Sequence, residues 1–425
     1  MLDIKYVRDH AEGVRQNTAR RGVDPGQVDD ALAAHEKQTE LQRRLDPLRR
    51  TRRLNAEEVK GCTDAAQRRA LIAVGQDLKS EVGALEAAQR QAAAAVEEAL
   101  KSLPNMTHPQ VPDGDEGQGR MLQTVGEKPH FGFAPRDHRA IAEALDLVDF
   151  DSGARVSGQK FYYLKNEAVL LEMALMHFAL ARLAAAGYGI CTTPDLARTA
   201  VLEATGFASR GPESQVYRVE DTDLCLVGTS EITLGGLGLG RDFAAGALPL
   251  RLAGLSHCFR REAGGHGAEG RGLYRVHQFS KVEIFAFCRP EEGEALHAEI
   301  LELEIGLFRD LGLHFRVLDM AAGDLGAPAY RKFDLEAWMP GRGAFGEVTS
   351  ASLCTDYQSR RLGCRYRTAE GMRPVYTLNG TGIAAARAIA VLLENYQRED
   401  GSVVVPEVLR PYMGGLEVIG PRLSR

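Results

Sequence analysis

The sequence predicts an α+β protein: an antiparallel sheet flanked by helices, preceded by an N-terminal antiparallel helical coiled-coil arm. Three observations carry that prediction. Residues 27–103 hold no Phe, Tyr or Trp and are rich in Ala, Glu, Gln, Arg and Leu. A proline-rich joint follows, with Pro104, Pro109, Pro112 and Gly114, and places a domain boundary near 110. Beyond it, short β-like runs and helical stretches mix without strict alternation, which argues for a mostly antiparallel sheet rather than βαβ units. A chain of 425 residues exceeds one core, so a helical arm (1–110) and a second domain (111–425) are expected.

In the arm, Leu71, Val74, Leu78, Val82 and Leu85 step by three and four residues, and Ala92 and Val96 extend the row. That is the stripe of a long helix seeking one partner. Leu41, Leu45 and Leu48 begin a similar stripe upstream, and the polar stretch from Glu57 to Asp64 reads as the turn between them. Pro47 removes a helical hydrogen bond, so a kink or break is expected at Asp46-Pro47. Arg43, Arg44, Arg49, Arg50, Arg52, Arg53 and Lys60 crowd toward the distal end. They read as a solvated charged face, or as a grip on a phosphate backbone.

In the second region, 161–164, 223–227 and 282–287 read as strands, and 167–186 and 291–311 as helices. The apolar helix 167–186 carries Glu172, His177 and Arg182, which argues against a membrane span. A net charge of −6 excludes nucleic-acid binding through bulk positive charge, leaving only a local basic patch. Seven cysteines lie scattered, with no CxxC pair and no HExxH. That suits reduced thiols in a cytoplasm. The N-terminus lacks the apolar core of a signal peptide, so a soluble cytoplasmic protein is expected.

A GxxxxGK[ST] phosphate loop and a GxGxxG turn joining a strand to a helix both find no support, so any nucleotide must be held by side chains. The densest suitable cluster is Cys258-Phe259-Arg260-Arg261-Glu262, a glycine-rich loop at 264–272, then Tyr274-Arg275-Val276-His277-Gln278-Phe279-Ser280-Lys281-Val282-Glu283. Its flanks alternate as a hairpin does. Arginines there can fork onto phosphate or carboxylate, and Phe279 offers a flat face to a base. A salt-bridged surface hairpin would look the same. A second constellation, Asn379-Gly380-Thr381-Gly382, runs into helical periodicity. It places Asn379 and Thr381 at a helix N-terminus and Arg387 about two turns in, or else is an ordinary capped helix. In Glu347-Val348-Thr349-Ser350, alternation sets Glu347 and Thr349 on one strand face and Ser350 on the other. Thr229-Ser230-Glu231 carries no meaning alone.

In order and spacing, these pieces resemble the seryl-tRNA synthetases, a family within the class II aminoacyl-tRNA synthetases. The resemblance starts at Met1-Leu2-Asp3-Ile4-Lys5 and continues through Pro104-Asn105, Thr229–Glu231, Phe259–Glu262 and His277–Glu283. Glu347–Ser350, Asp356–Arg361, Asn379–Gly382, Glu394–Gln397 and Pro406–Tyr412 complete it. It implies the class II antiparallel sheet, a tRNA-binding arm, and activation of L-serine with ATP before transfer to tRNA(Ser), with tRNA(Sec) a further candidate. By the same resemblance, ATP lies on Arg260, Arg261, Glu262, Arg275, Val276, Phe279, Glu347, Val348, Thr349, Ser350 and Arg387. Phe279 stacks the base, Arg260 meets the α-phosphate and substrate carboxylate, and Arg387 holds the γ-phosphate. Glu347 and Ser350 hold Mg2+. Thr229, Ser230, Glu231, Arg260, Glu283, Asn379 and Thr381 receive serine, and Arg260, Glu283 and Arg387 carry catalysis.

The resemblance also makes 167–186, with 188–194 after it, a homodimer interface, and assigns Arg43, Arg44, Arg49, Arg50, Arg52 and Arg53 to tRNA. No membrane partner is expected. The chain departs from the family pattern at Thr381 (where many relatives have serine), at Ser280, at Leu353 (where asparagine is usual), at Pro47 and over Ala204–Ser209. Rival readings are a duplicate synthetase for a specialised or antibiotic-resistance role, a non-catalytic RNA-binding protein, and a relative that charges a carrier protein. The presence of Arg260, Glu283, Glu347 and Arg387 opposes the second, and the long arm opposes the third.

Overall fold

The computed structural model describes residues 1–115, 117–207, 214–262 and 272–421, in two compact units, Met1–Met106 and Thr107–Arg425. The glycine-rich loop and Ala208-Ser209 fall outside the described residues, apart from Gly272.

The first unit is two short helices, Ile4–Asp9 and Ala11–Arg20, and two long ones, α1 (Gly26–Gly61) and α2 (Ala65–Ser102). At 36 residues, α1 spans about 54 Å at 1.5 Å per residue. Leu2, Val7, Val14 and Val28 bury against Val96, Leu100 and Leu103 at its root. Midway, Leu45 closes on Val82 and Leu85, flanked by Leu41 and Leu48. Farther out the stripe loses its cover, and Val74 is 49% exposed. There the interface turns polar: Asn55 Nδ2 donates to the Leu71 carbonyl at 3.2 Å.

Two expectations need correction. α1 runs unbroken through Pro47. A helical proline costs about 3 kcal/mol, and Leu45 and Leu48 pack on either side of it, offsetting that cost. The turn is also shorter than the polar run, because α1 continues to Gly61. Asp64 then caps α2 by accepting from the amides of Ala66 and Gln67.

The second unit is built on eight strands: β1 (Arg120–Val125), β2 (Gly189–Thr192), β3 (Leu250–Phe259), β4 (Gln278–Cys288), β5 (Phe315–Asp319), β6 (Arg331–Met339), β7 (Ala344–Thr355) and β8 (Tyr376–Ala384). Their order is β1-β5-β6-β7-β8-β4-β3-β2, antiparallel except for the β3–β2 pair. Helices α3 (Glu167–Ala185), α4 (Gly293–Asp310) and α5 (Ala385–Asn395) pack around a core that includes Leu175, Leu183, Val282, Ile284, Ile300, Phe308, Leu378 and Ile389. α3 is apolar and long enough to cross a membrane, but Leu171, Leu175, Phe178 and Leu183 bury one face of it in this core. The strand read at 161–164 shrinks to Tyr163–Leu164.

Three bulges interrupt the central strands. Val348 is extra between Glu347 and Thr349, Cys354 between Leu353 and Thr355, and Gly382 between Thr381 and Ile383. A bulge re-aims the side chains beside it. All three border one cavity.

Candidate active site

That cavity, about 520 Å³, opens on one face of the central strands. Alternation supplies its floor: Phe279, Lys281 and Glu283 from β4, Asn379 and Thr381 from β8, Lys332 from β6, and Ser350, Ser352 and Cys354 from β7. The intervening residues Val282, Ile284, Ala351, Leu353 and Leu378 face the core. Leu353 therefore points away from the cavity.

The bulge at Val348 overturns one expectation. Strict alternation would join Glu347 with Thr349, but the extra residue puts Glu347 and Ser350 together in the cavity wall. Thr349 turns to the opposite face and its Oγ1 donates to Glu304 Oε2 at 2.6 Å. A second correction concerns Asn379 and Thr381, which lie on β8 rather than at a helix start, because β8 is paired with β7 and β4 through that stretch. The helix begins at Ala385, so Arg387 sits in its first turn.

One end of the cavity is cationic and aromatic. Arg387 donates to Glu347 Oε1 at 2.8 Å and to the Glu347 carbonyl at 3.1 Å, and its guanidinium lies 5.0 Å from the Tyr274 ring centre. Burial opposes the Arg387 charge, but the Glu347 carboxylate more than offsets it and holds the guanidinium protonated. Burial likewise opposes the Glu347 charge, and Arg387 and Lys332 win, leaving its carboxyl below the usual range. Arg260, at the end of β3, donates to the Gly228 carbonyl at 3.2 Å and lies 5.3 Å from the Phe279 ring centre. Its own carbonyl accepts from His277 Nδ1 at 2.7 Å.

The other end is acidic and buried. Glu231 begins the helix Glu231–Gly236, and its Oε1 accepts from Gln358 Nε2 at 2.7 Å and from Asn379 Nδ2 at 3.0 Å. Burial, and next the Glu283 charge, push the Glu231 carboxyl up to about 7. Glu283, 2% exposed, is ion-paired with Lys281, and burial raises its carboxyl too. Two carboxylates with one internal lysine leave this end suited to a small cation bearing hydrogen-bonding groups.

The oxygen donors beside Arg387 suit a hard divalent cation. Glu347 and Ser350 share the wall, and Asp334 lies opposite Ser350 in register. Asp334 is 2% exposed, and its Oδ1 is buried without a partner. No cluster of three or more His, Cys, Asp or Glu arranged for a metal occurs among the described residues.

Of the residues singled out in the sequence, the cavity gathers Thr229, Glu231, Arg260, Glu262, Val276, Phe279, Glu283, Glu347, Val348, Ser350, Asn379, Thr381 and Arg387. It does not gather four others. Ser230 donates to the Gly254 carbonyl at 3.1 Å, and Thr349 faces Glu304. The Arg261 amide binds the Gln215 carbonyl, and Arg275 lies 3.8 Å from Glu262. Sequence reasoning gave no role to Lys281, Lys332, Tyr274 or Gln358. Strand alternation from Phe279 to Glu283 already placed Lys281 on the cavity face; for Gln358 no local pattern pointed there.

Comparison with known proteins supplies the context. Residues 216–396 match the tRNA synthetase class II core domain (G, H, P, S and T), and residues 1–107 match the seryl-tRNA synthetase N-terminal domain. A serine–tRNA ligase of Rubrobacter xylanophilus is 51% identical, covering 99% of each chain. One from Dictyoglomus turgidum is 48% identical, over 98% of this chain and 99% of its own. Among solved structures, seryl-tRNA synthetase from Pyrococcus horikoshii complexed with ATP superposes with a TM-score of 0.91 at 37% identity, covering all of both chains. The cytoplasmic serine–tRNA ligase of Naegleria fowleri in complex with AMP gives 0.87 at 29%, covering 100% of this chain and 99% of that one.

Proposed function

The chain belongs to the seryl-tRNA synthetase family and is a serine–tRNA ligase, activating L-serine with ATP and charging tRNA(Ser); from that premise we propose how its residues divide the work. The observation that carries the proposal is the polarity of one cavity, cationic and aromatic at Arg260, Phe279 and Arg387, acidic at Glu231 and Glu283.

ATP takes the cationic end. Phe279 stacks the base, Arg260 reaches the α-phosphate, and Arg387 holds the γ-phosphate. Serine takes the acidic end, its ammonium between Glu231 and Glu283 and its hydroxyl among Glu283, Thr381 and Asn379. A buried site that bonds the hydroxyl rejects alanine and glycine by leaving its own groups unpaired. The serine carboxylate is already a nucleophile, so the first step needs no strong base. Arg260 aligns carboxylate and α-phosphorus, and its charge is met by the negative charge that builds there. Mg2+, when bound, neutralises phosphate charge; Glu347 and Ser350 would hold it.

In the second step tRNA approaches by the arm, where Arg43, Arg44, Arg49, Arg50, Arg52 and Arg53 are all exposed. The working unit is a homodimer in the cytoplasm. Supporting the dimer, the outward face of α3 exposes Met173 (64%) and Leu170 (47%), with Ile190 (54%) on the edge strand β2. Met173→Glu should then yield a monomer by light scattering, whereas a wild-type monomer refutes the pairing. Seven free thiols suit the reducing compartment.

The test of the central reading is pyrophosphate exchange into ATP with serine, alanine, threonine and cysteine separately, without tRNA. Exchange with serine alone supports the pocket assignment; exchange with none of them refutes it.

A further inference from the structure

Glu231 faces the cavity from a helix start, a position that does not by itself fix a carboxylate's orientation. Its partner Gln358 lies on the helix Tyr357–Leu362 and is fully buried. Both donors of the Gln358 amide are used, and its oxygen has a partner. Nε2 donates to Glu231 Oε1 at 2.7 Å and to the Thr205 carbonyl at 2.9 Å, while Oε1 accepts from Thr377 Oγ1 at 2.7 Å.

Two of those three partners act as acceptors, the Thr205 carbonyl always and Glu231 in its charged form. Turning the amide over would set its oxygen against both, in a place without room for compensation, so one orientation is enforced. The result is directional. Glu231 Oε1 is taken by Gln358 and Asn379, and Oε2 has no hydrogen-bond partner among the described residues. The same side chain ties three elements at the acidic end: β8 through Thr377, Glu231, and the Thr205 carbonyl that leads into Gly206 and Phe207 in the cavity wall.

We propose that Gln358 is a positioning residue for amino-acid specificity, holding Glu231 with one oxygen presented to the serine ammonium. This rests on the reading of Glu231 as an ammonium partner. Gln358 touches no substrate; it acts through Glu231. Its donated hydrogen bond also favours the charged form of Glu231, within a site where Glu283, Lys281 and Arg260 are the other charged groups that bear on it.

The experiment is serine-dependent pyrophosphate exchange from pH 6 to 9, with KM for serine and for ATP measured separately. Gln358→Met keeps the shape and removes the donors. It should raise serine KM roughly 10- to 100-fold, the loss of one hydrogen bond to a charged group, with ATP KM within about twofold. The pH below which serine KM climbs should move upward as well. Thr377→Val, which strips the Gln358 oxygen of its donor and loosens the amide without turning it over, should show the same split at smaller size and decides the matter should Gln358→Met not fold. Unchanged serine KM, or serine and ATP KM rising together with no movement of the pH profile, would overturn the proposal. Glu231→Gln runs in parallel. If it leaves serine KM unchanged, the ammonium reading itself fails and takes this one with it. If it raises serine KM while Gln358→Met does not, only the positioning role fails.

Discussion

Replacing Glu231 by Gln removes a charge from a site that is 7% exposed and next to a second carboxylate. In the unfolded chain this carboxyl titrates near its ordinary 4.5, and in the folded chain at about 7. A displacement of that size corresponds to roughly 3 kcal/mol. The sign follows from linkage. Below pH 4.5 both states hold the proton and the wild type bears no cost. As pH rises through 7 the folded state must give it up, and the cost reaches its full size. Glu231→Gln keeps an oxygen to accept from Gln358 and Asn379, so it escapes the cost without stranding those donors. Unfolding of the ligand-free protein, measured at pH 5 and pH 8, should show the variant within about 1 kcal/mol of wild type at pH 5. At pH 8 it should be more stable by ~2–3 kcal/mol, while serine-dependent exchange falls steeply. A variant less stable than wild type at pH 8, or a difference that ignores pH, would refute the assignment of strain to this carboxylate.

Three further outcomes are expected. Arg387→Ala should raise ATP KM roughly 10- to 100-fold and spare serine KM, because it removes a phosphate partner and leaves Glu347 without its ion pair; equal effects on both substrates would contradict the two-ended cavity. Converting Arg50, Arg52 and Arg53 to Gln should leave exchange intact, weaken tRNA binding, and flatten its salt dependence by about 0.7–0.9 for each phosphate no longer neutralised. Unaltered salt dependence would remove those residues from the tRNA surface. Pro47→Ala should slow hydrogen exchange in the turn that precedes it, since residue 47 regains its bond to the Arg43 carbonyl and the helix gains up to ~3 kcal/mol in propensity terms; faster exchange would show that the proline is required there.

Much of the architecture was legible because it depends on period. The inner part of the arm's stripes (Leu45, Val82, Leu85 and Val96), the apolar α3 and the alternation from Phe279 to Glu283 all reappear in the structure. What escaped was set by departures from period or by distant partners. Strict alternation misplaced Glu347 because one residue, Val348, is extra in β7, and a bulge has no composition of its own. Asn379 and Thr381 resembled a capped helix start, since nothing local reveals that β7 and β4 lie on either side. Pro47 marked a kink or a break, and the helix runs through it unbroken with Leu45 and Leu48 packed on either side. Gln358 stood within the Asp356–Arg361 stretch, but its role could not be read there: Thr205, Glu231 and Thr377 come from three separate stretches of chain.

Asn55 gives the arm a property beyond cohesion. Two smooth apolar stripes can slide past one another by a turn with little change in burial. Beyond Leu45 and Val82 that freedom would be greatest, since Ile72 and Val74 lie open to water. The Asn55 bond to the Leu71 carbonyl stops it, and Gly75 makes room, for a Cβ there would stand 2.7 Å from the Asn55 amide oxygen. The two helices thus behave like the notched scales of a calliper, able to close at one setting. A single extra turn in one helix alone would move the notch by about 5.4 Å and leave the jaws unable to lock.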